Sequence, residues 1–147
     1  MDEIYLVTSP SWEKGKVNIK IGRSIHAEIR KKDYYTHNPE AGFVCVIETP
    51  SKVFSEFIEH ALLFSIHRER VSATEWYKVN ESKYEEFKKL STLKEVLVFC
   101  EFEYYLRTQE EISYSKLLDD SPNGIKPKTY AKHTAKYAQI RKELETI

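Results

Sequence analysis

Glycine and proline are scarce in this 147-residue chain, at four and five residues, while 41% of it is hydrophobic and 13% aromatic. That balance excludes a collagenous, low-complexity or disordered polymer. Cysteine is almost missing: Cys45 and Cys100 stand far apart inside apolar runs and read as reduced core residues. They form no disulfide framework, and neither they nor the five histidines show the ligand spacing of a zinc site. No apolar run approaches the ~20 residues of a membrane span. The opening Met1-Asp2-Glu3 lacks the basic leader of a signal peptide, so an intracellular protein is expected, cytoplasmic or nucleoid/nuclear. Net charge is also missing, because 23 basic side chains balance 23 acidic ones. Whole-chain electrostatics therefore does not announce a nucleic-acid partner.

The charge is nonetheless unevenly placed. Residues 1–74 carry ten basic and ten acidic side chains, residues 75–120 seven and eleven, and residues 121–147 six and two. A segment of 7 − 11 = −4 thus precedes a tail of 6 − 2 = +4, a pattern that fits either a nucleic-acid contact or internal docking.

Two β-branched and aromatic runs, Glu3–Thr8 and Val17–Gly22, flank a Pro/Ser/Gly loop and predict an antiparallel hairpin. Strand alternation would set Ile4 and Leu6 on one face with Val17, Ile19 and Ile21. Tyr5 and Val7 would share the other face with Asn18 and Lys20, placing a phenol beside an amine. Ser24 is a good N-cap for a helix over about Ile25–Tyr35. Phe43–Thr49 reads as a buried strand, and a helix follows from Pro50-Ser51 to about His67 with a stripe from Val53 to Ile66. Thr74–Val79 predicts a strand and Glu81–Leu90 a charged amphipathic helix. Val96, Val98, Cys100, Phe102 and Tyr104 alternate and predict one more strand. Beyond it come a short helix over Ser113–Asp119, a turn at Ser121–Gly124 and a helix over Lys128–Glu145. In that last helix Tyr130, His133, Tyr137, Ile140, Leu144 and Ile147 make a stripe that suits a docking face or a homodimer seam.

The ordered set Ile4-Tyr5-Leu6, Lys20-Ile21-Gly22-Arg23-Ser24, Arg30, Pro39, Glu59 and Glu75-Trp76-Tyr77 resembles the GIY-YIG nuclease superfamily. It is most similar to the branch known from phage and meiotically up-regulated proteins, over about residues 3–90. The resemblance implies an α/β fold with a small, mainly antiparallel central sheet flanked by helices. It divides the chain into a nuclease-like domain over residues 1–106 and a helical basic extension over residues 107–147. It also implies Mg²⁺-dependent hydrolysis of a DNA phosphodiester, with Mn²⁺ as the alternative ion. Tyr5 would then activate the attacking water or serve as the base, and Lys20 would stand where most members have Tyr. Arg30 and Tyr34 would hold the phosphate, and Glu59 would bind the metal. Leu63 occupies a position where this branch often has His, and Glu3 stands where the superfamily's leading Gly would be.

The residue types suit those roles. An ammonium on the same sheet face favours the phenolate of Tyr5. Arg30 and Tyr34 are four apart, so a helix would aim both at one phosphate. A planar guanidinium can hold two equatorial oxygens as charge builds on them. A single carboxylate at Glu59 suits Mg²⁺, which keeps several waters. Glu56, three residues earlier on nearly the same face, is its rival. Arg23, Lys31 and Lys32 would contact DNA, as would Lys126, Lys128, Lys132 and Lys136 of the tail, where Tyr130 and Tyr137 add stacking surface. The expected function is a DNA endonuclease. The alternative is a nucleic-acid-binding module of the same fold that has lost cleavage, motivated by Lys20 and Leu63.

Overall fold

The computed structural model describes residues 2–10, 13–24, 42–71 and 74–147. Among them the chain runs β1 (Asp2–Pro10), β2 (Lys16–Ser24), β3 (Gly42–Thr49), α1 (Lys52–Ser65), a 3-10 turn (His67–Glu69) and β4 (Tyr77–Asn80). Four helices follow: α2 (Glu81–Lys88), α3 (Leu93–Phe99), α4 (Phe102–Asp119) and α5 (Pro127–Glu145). The helix expected over Ile25–Tyr35 lies outside the described residues, and with it Arg30, Lys31, Lys32, Tyr34 and Pro39.

The strands make one antiparallel sheet in the order β3-β1-β2-β4. The expected hairpin is present, and its register sets Leu6 opposite Ile21, Tyr5 opposite Gly22 and Val7 opposite Lys20. The two faces are therefore those read from alternation. Ile4, Tyr5, Leu6 and Val7 are all buried, and successive strand residues point to opposite faces, so β1 is covered on both sides.

Helix α1 begins at Ser51, whose hydroxyl accepts a hydrogen bond from the Phe54 N–H at 3.2 Å. Phe54, Ile58, Ala61 and Leu62 are buried and α1 packs on β1 and β2. Each large apolar side chain in this stripe contributes about 1.5–3 kcal/mol of transfer free energy. Glu56, Glu59 and Leu63 lie at the stripe's edge, half-buried, which places them beside the sheet without sealing them in. Asn80 then caps α2, accepting from the Lys83 N–H at 2.7 Å.

The strand expected from Val96 to Tyr104 is instead helix α3, a break, and the first turn of α4. Val96 with Cys100 and Phe102 with Leu106 are the buried pairs, each four apart, whereas Val98 and Tyr104 are 73% and 60% exposed. The helical period has won over the period of two. Thr92 caps α3, accepting from the Glu95 N–H at 3.2 Å while its hydroxyl bonds the Glu95 carboxylate at 2.9 Å. Thr92-x-x-Glu95 is a capping-box sequence, a start signal that outranks the alternation after it. The break is at Glu101, in the left-handed region at φ 50°. The short helix expected over Ser113–Asp119 is the end of α4.

Two compact units result, residues 1–100 and 101–147. The second is a helical pair whose turn closes with the Gly124 N–H donating to Ser121 O at 2.9 Å, Gly124 having φ 94°. Within it the Tyr137 hydroxyl donates to Gln109 O at 3.3 Å, and Tyr114 meets Tyr130 edge-on at 6.2 Å. Tyr137 and Ile140 are buried and Tyr130 is exposed, so the middle of the α5 stripe is covered.

Candidate active site

The site forms where β4 stops. That strand pairs with β2 only from Lys16 to Ile19, so the next stretch of β2, Lys20–Ser24, has an edge that β4 does not cover. An open cavity of about 550 Å³ lies there, lined by Tyr5, Lys20–Arg23, Glu59, Leu63, Arg70, Thr74, Glu75 and Tyr77. Because it opens at a strand edge, residues of both sheet faces line it: Lys20 and Gly22 from one, Ile21 and Arg23 from the other.

Tyr5 and Gly22 face each other across the hairpin. A Cβ at position 22 would lie 2.5 Å from both Cζ and Oη of Tyr5, so the phenol ring occupies the space another side chain would need. Glycine here is a steric requirement of the tyrosine. Lys20 is two residues back on the same face, a diagonal separation that a lysine and a tyrosine can span.

Charge is balanced locally. Lys20 Nζ lies 2.7 Å from Glu75 Oε2. Arg23 reaches two carboxylates of α1, with Nη2 at 3.0 Å from Glu56 Oε1 and Nε at 3.5 Å from Glu59 Oε2. The two candidate carboxylates thus bracket one guanidinium, and of the pair it is Glu59 that lines the cavity. Burial raises the Glu59 carboxyl above its ordinary pKa. Arg23 and His60 pull it down, while Glu56 and Glu75 add to the rise. Desolvation is the largest of these effects, and the Arg23 contact that opposes it is long and shared with Glu56.

The segment that carries Glu75 is tied down by its own hydrogen bonds. Arg70 Nε donates to Thr74 O at 3.0 Å, the Thr74 hydroxyl donates to Val71 O at 2.7 Å, and Trp76 N–H donates to Thr74 Oγ1 at 3.2 Å. Arg70 and Thr74 are lining residues that sequence reasoning did not assign to the site. Their signal was faint: a lone arginine and threonine just before Glu75-Trp76.

Among the described residues no three His, Cys, Asp or Glu side chains cluster as a ready metal cage. Among the described residues the cavity offers carboxylate oxygens from Glu59 and Glu75 and neither thiol nor imidazole. That donor set fits a hard, water-keeping cation such as Mg²⁺ and does not suit zinc. Lys126, Lys128, Lys132 and Lys136 are exposed in the second unit, the last three at four-residue spacing along α5.

Residues 3–96 match the T5orf172 domain. The chain belongs to the T5orf172 domain family. The T5orf172 match takes in all four strands, α1, α2 and every lining residue of the cavity, while the second unit lies outside it. No curated protein and no solved structure matches the chain. T5orf172 domains occur in proteins associated with GIY-YIG-type nuclease modules, and the fold described above is consistent with a nuclease-like domain. None of its helices, among the described residues, is long and apolar enough to cross a membrane.

Proposed function

We propose that this T5orf172 domain is a GIY-YIG-type, metal-dependent endonuclease that hydrolyses DNA phosphodiester bonds in the cavity at the β2 edge. The observation that supports it is convergence: Tyr5 from β1, Lys20 and Arg23 from β2 and Glu59 from α1 all line one open cavity. Tyr5 would accept the proton of the attacking water as a phenolate, or orient that water. Lys20 would neutralise a phosphate oxygen, and Arg23 would hold a second as charge grows in the transition state. Arg30 and Tyr34 carry the remaining phosphate contacts in this reading. Glu59 would hold Mg²⁺, which when bound supplies Lewis-acid polarisation of the phosphate and relief of charge on the leaving oxygen. Lys31, Lys32, Lys126, Lys128, Lys132 and Lys136 would contribute phosphate contacts outside the reacting centre.

The experiment is plasmid nicking with Mg²⁺ by the parent chain, Arg30→Ala and Glu59→Gln, purified identically. Nicking by the parent that both variants lose is the expected result. Equal nicking by all three would assign the activity to a contaminant and remove the site. A second reading, a binding module without cleavage, draws support from Leu63 in the cavity and from the Lys20–Glu75 pair, which occupies the ammonium. It predicts DNA retardation with a steep salt dependence and no nicking with any divalent ion.

A further inference from the structure

Phe64, in the last turn of α1, is 60% exposed. His67 stacks on it with ring centroids 5.2 Å apart and planes inclined by 16°. His67 Nδ1 lies 2.7 Å from Phe64 O, the geometry of an Nδ1–H donating to that carbonyl, which fixes the imidazole in this orientation. A single exposed apolar side chain is ordinary on a protein surface. This one differs in being half of an ordered, nearly parallel ring pair, and in where it sits. Leu63 before it and Arg70 after it both line the active cavity. Glu59 and Leu63 are four apart on α1, Phe64 follows in its last turn and His67 opens the 3-10 turn after it, so the ring pair closes the helix that carries the proposed metal carboxylate. Arg68 and Arg70, both exposed, add cationic charge beside it.

We propose that the Phe64–His67 pair is a stacking platform for an unpaired nucleobase adjoining the phosphate held in the cavity. The proposal rests on the nucleic-acid reading of that cavity and deepens it by naming the substrate class. Every base has a π-face that can stack on an aromatic ring, and neighbouring arginines hold the phosphates that flank it. In continuous duplex both faces of each base are already stacked, and exposing one costs unstacking energy. An overhang, gap or branch offers a base without that cost. The platform therefore selects DNA with an unpaired nucleotide beside the cleaved bond over fully paired DNA.

The test is fluorescence anisotropy, without divalent metal, of the parent, Phe64→Ala and Phe64→Trp on a labelled duplex with and without a single-stranded overhang. The parent should prefer the overhang DNA. Phe64→Ala should lose about tenfold in affinity for it while its affinity for the paired duplex stays unchanged, and Phe64→Trp should keep the preference. Equal loss on both DNAs, or no loss on either, overturns the platform. Failure of the parent to bind either DNA also overturns it. Nicking by the parent and Glu59→Gln on the same two DNAs separates the two ideas: overhang selectivity without nicking removes hydrolysis alone, and nicking without selectivity removes the platform alone.

Discussion

The ammonium of Lys20 and the carboxylate of Glu75 meet at 2.7 Å, with the lysine side chain 17% exposed and the glutamate 77%. A mostly buried cation is thus balanced by a carboxylate that stands in water. Such a pair contributes only about 0–1 kcal/mol to stability, because solvent screens the exposed partner. Under the proposed function its consequence is for binding, since an incoming phosphate would compete with Glu75 for Lys20.

Glu75→Gln should therefore leave the melting temperature within a few degrees of the parent's and tighten DNA binding several-fold. Lys20→Met should weaken binding and lower nicking by about a hundredfold or more. Anisotropy titrations at fixed salt check the first, and a nicking time course the second. Weaker binding by Glu75→Gln would show that the carboxylate assists the substrate.

Gly22→Ala should destabilise the domain by about 1–3 kcal/mol, the usual cost of overpacking. The new methyl would meet the Tyr5 ring, which is buried. Denaturant titration of Gly22→Ala, Tyr5→Ala and the double variant forms a cycle. The alanine at position 22 should cost far less once the ring is gone, and strictly additive losses would refute the steric account.

Glu59 binds its proton more tightly in the folded state than in the unfolded chain, because burial disfavours the carboxylate. Its contribution to stability is then fullest below the unfolded pKa and is lost as pH rises through the folded one. Melting temperature followed upward from acid pH should fall more steeply for the parent than for Glu59→Gln. Binding of Mn²⁺, read by electron paramagnetic resonance, should weaken as pH drops through that raised value, since the proton competes with the ion. Superimposable stability profiles for parent and variant would contradict the burial argument.

Val98→Lys discriminates between the two periods that residues 96–104 display. In helix α3 Val98 is 73% exposed, so the substitution should change stability by no more than about 0.5 kcal/mol. Val96→Ala, which opens a cavity at a residue 1% exposed, should cost about 1–3 kcal/mol. Comparable losses at both positions would restore the strand.

The hairpin, the core stripe of α1 and helix α5 were legible because each is a local pattern: alternation in β1 and β2, and apolar spacings of three and four in the helices. Residues 96–104 were misread because Val, Cys, Phe and Tyr suit either element, and the deciding signal was the cap at Thr92-x-x-Glu95 just upstream. Tyr5, Lys20 and Glu59 were legible as candidates from their order in the chain. Their shared cavity was not, nor were Arg70 and Thr74, which stand in an irregular segment just before β4.

The sequence by itself determined the face each hairpin residue takes, since a strand has only two sides. It also determined which side chains could carry chemistry. Only the tertiary structure decided where they meet. Pairing of β4 with β2 ends at Ile19, and that leaves an edge at which Lys20 and Arg23, on opposite faces of one strand, enter the same cavity. Alternation alone would have kept them apart. The length of a neighbouring strand is set by packing of the whole domain, which no local pattern encodes.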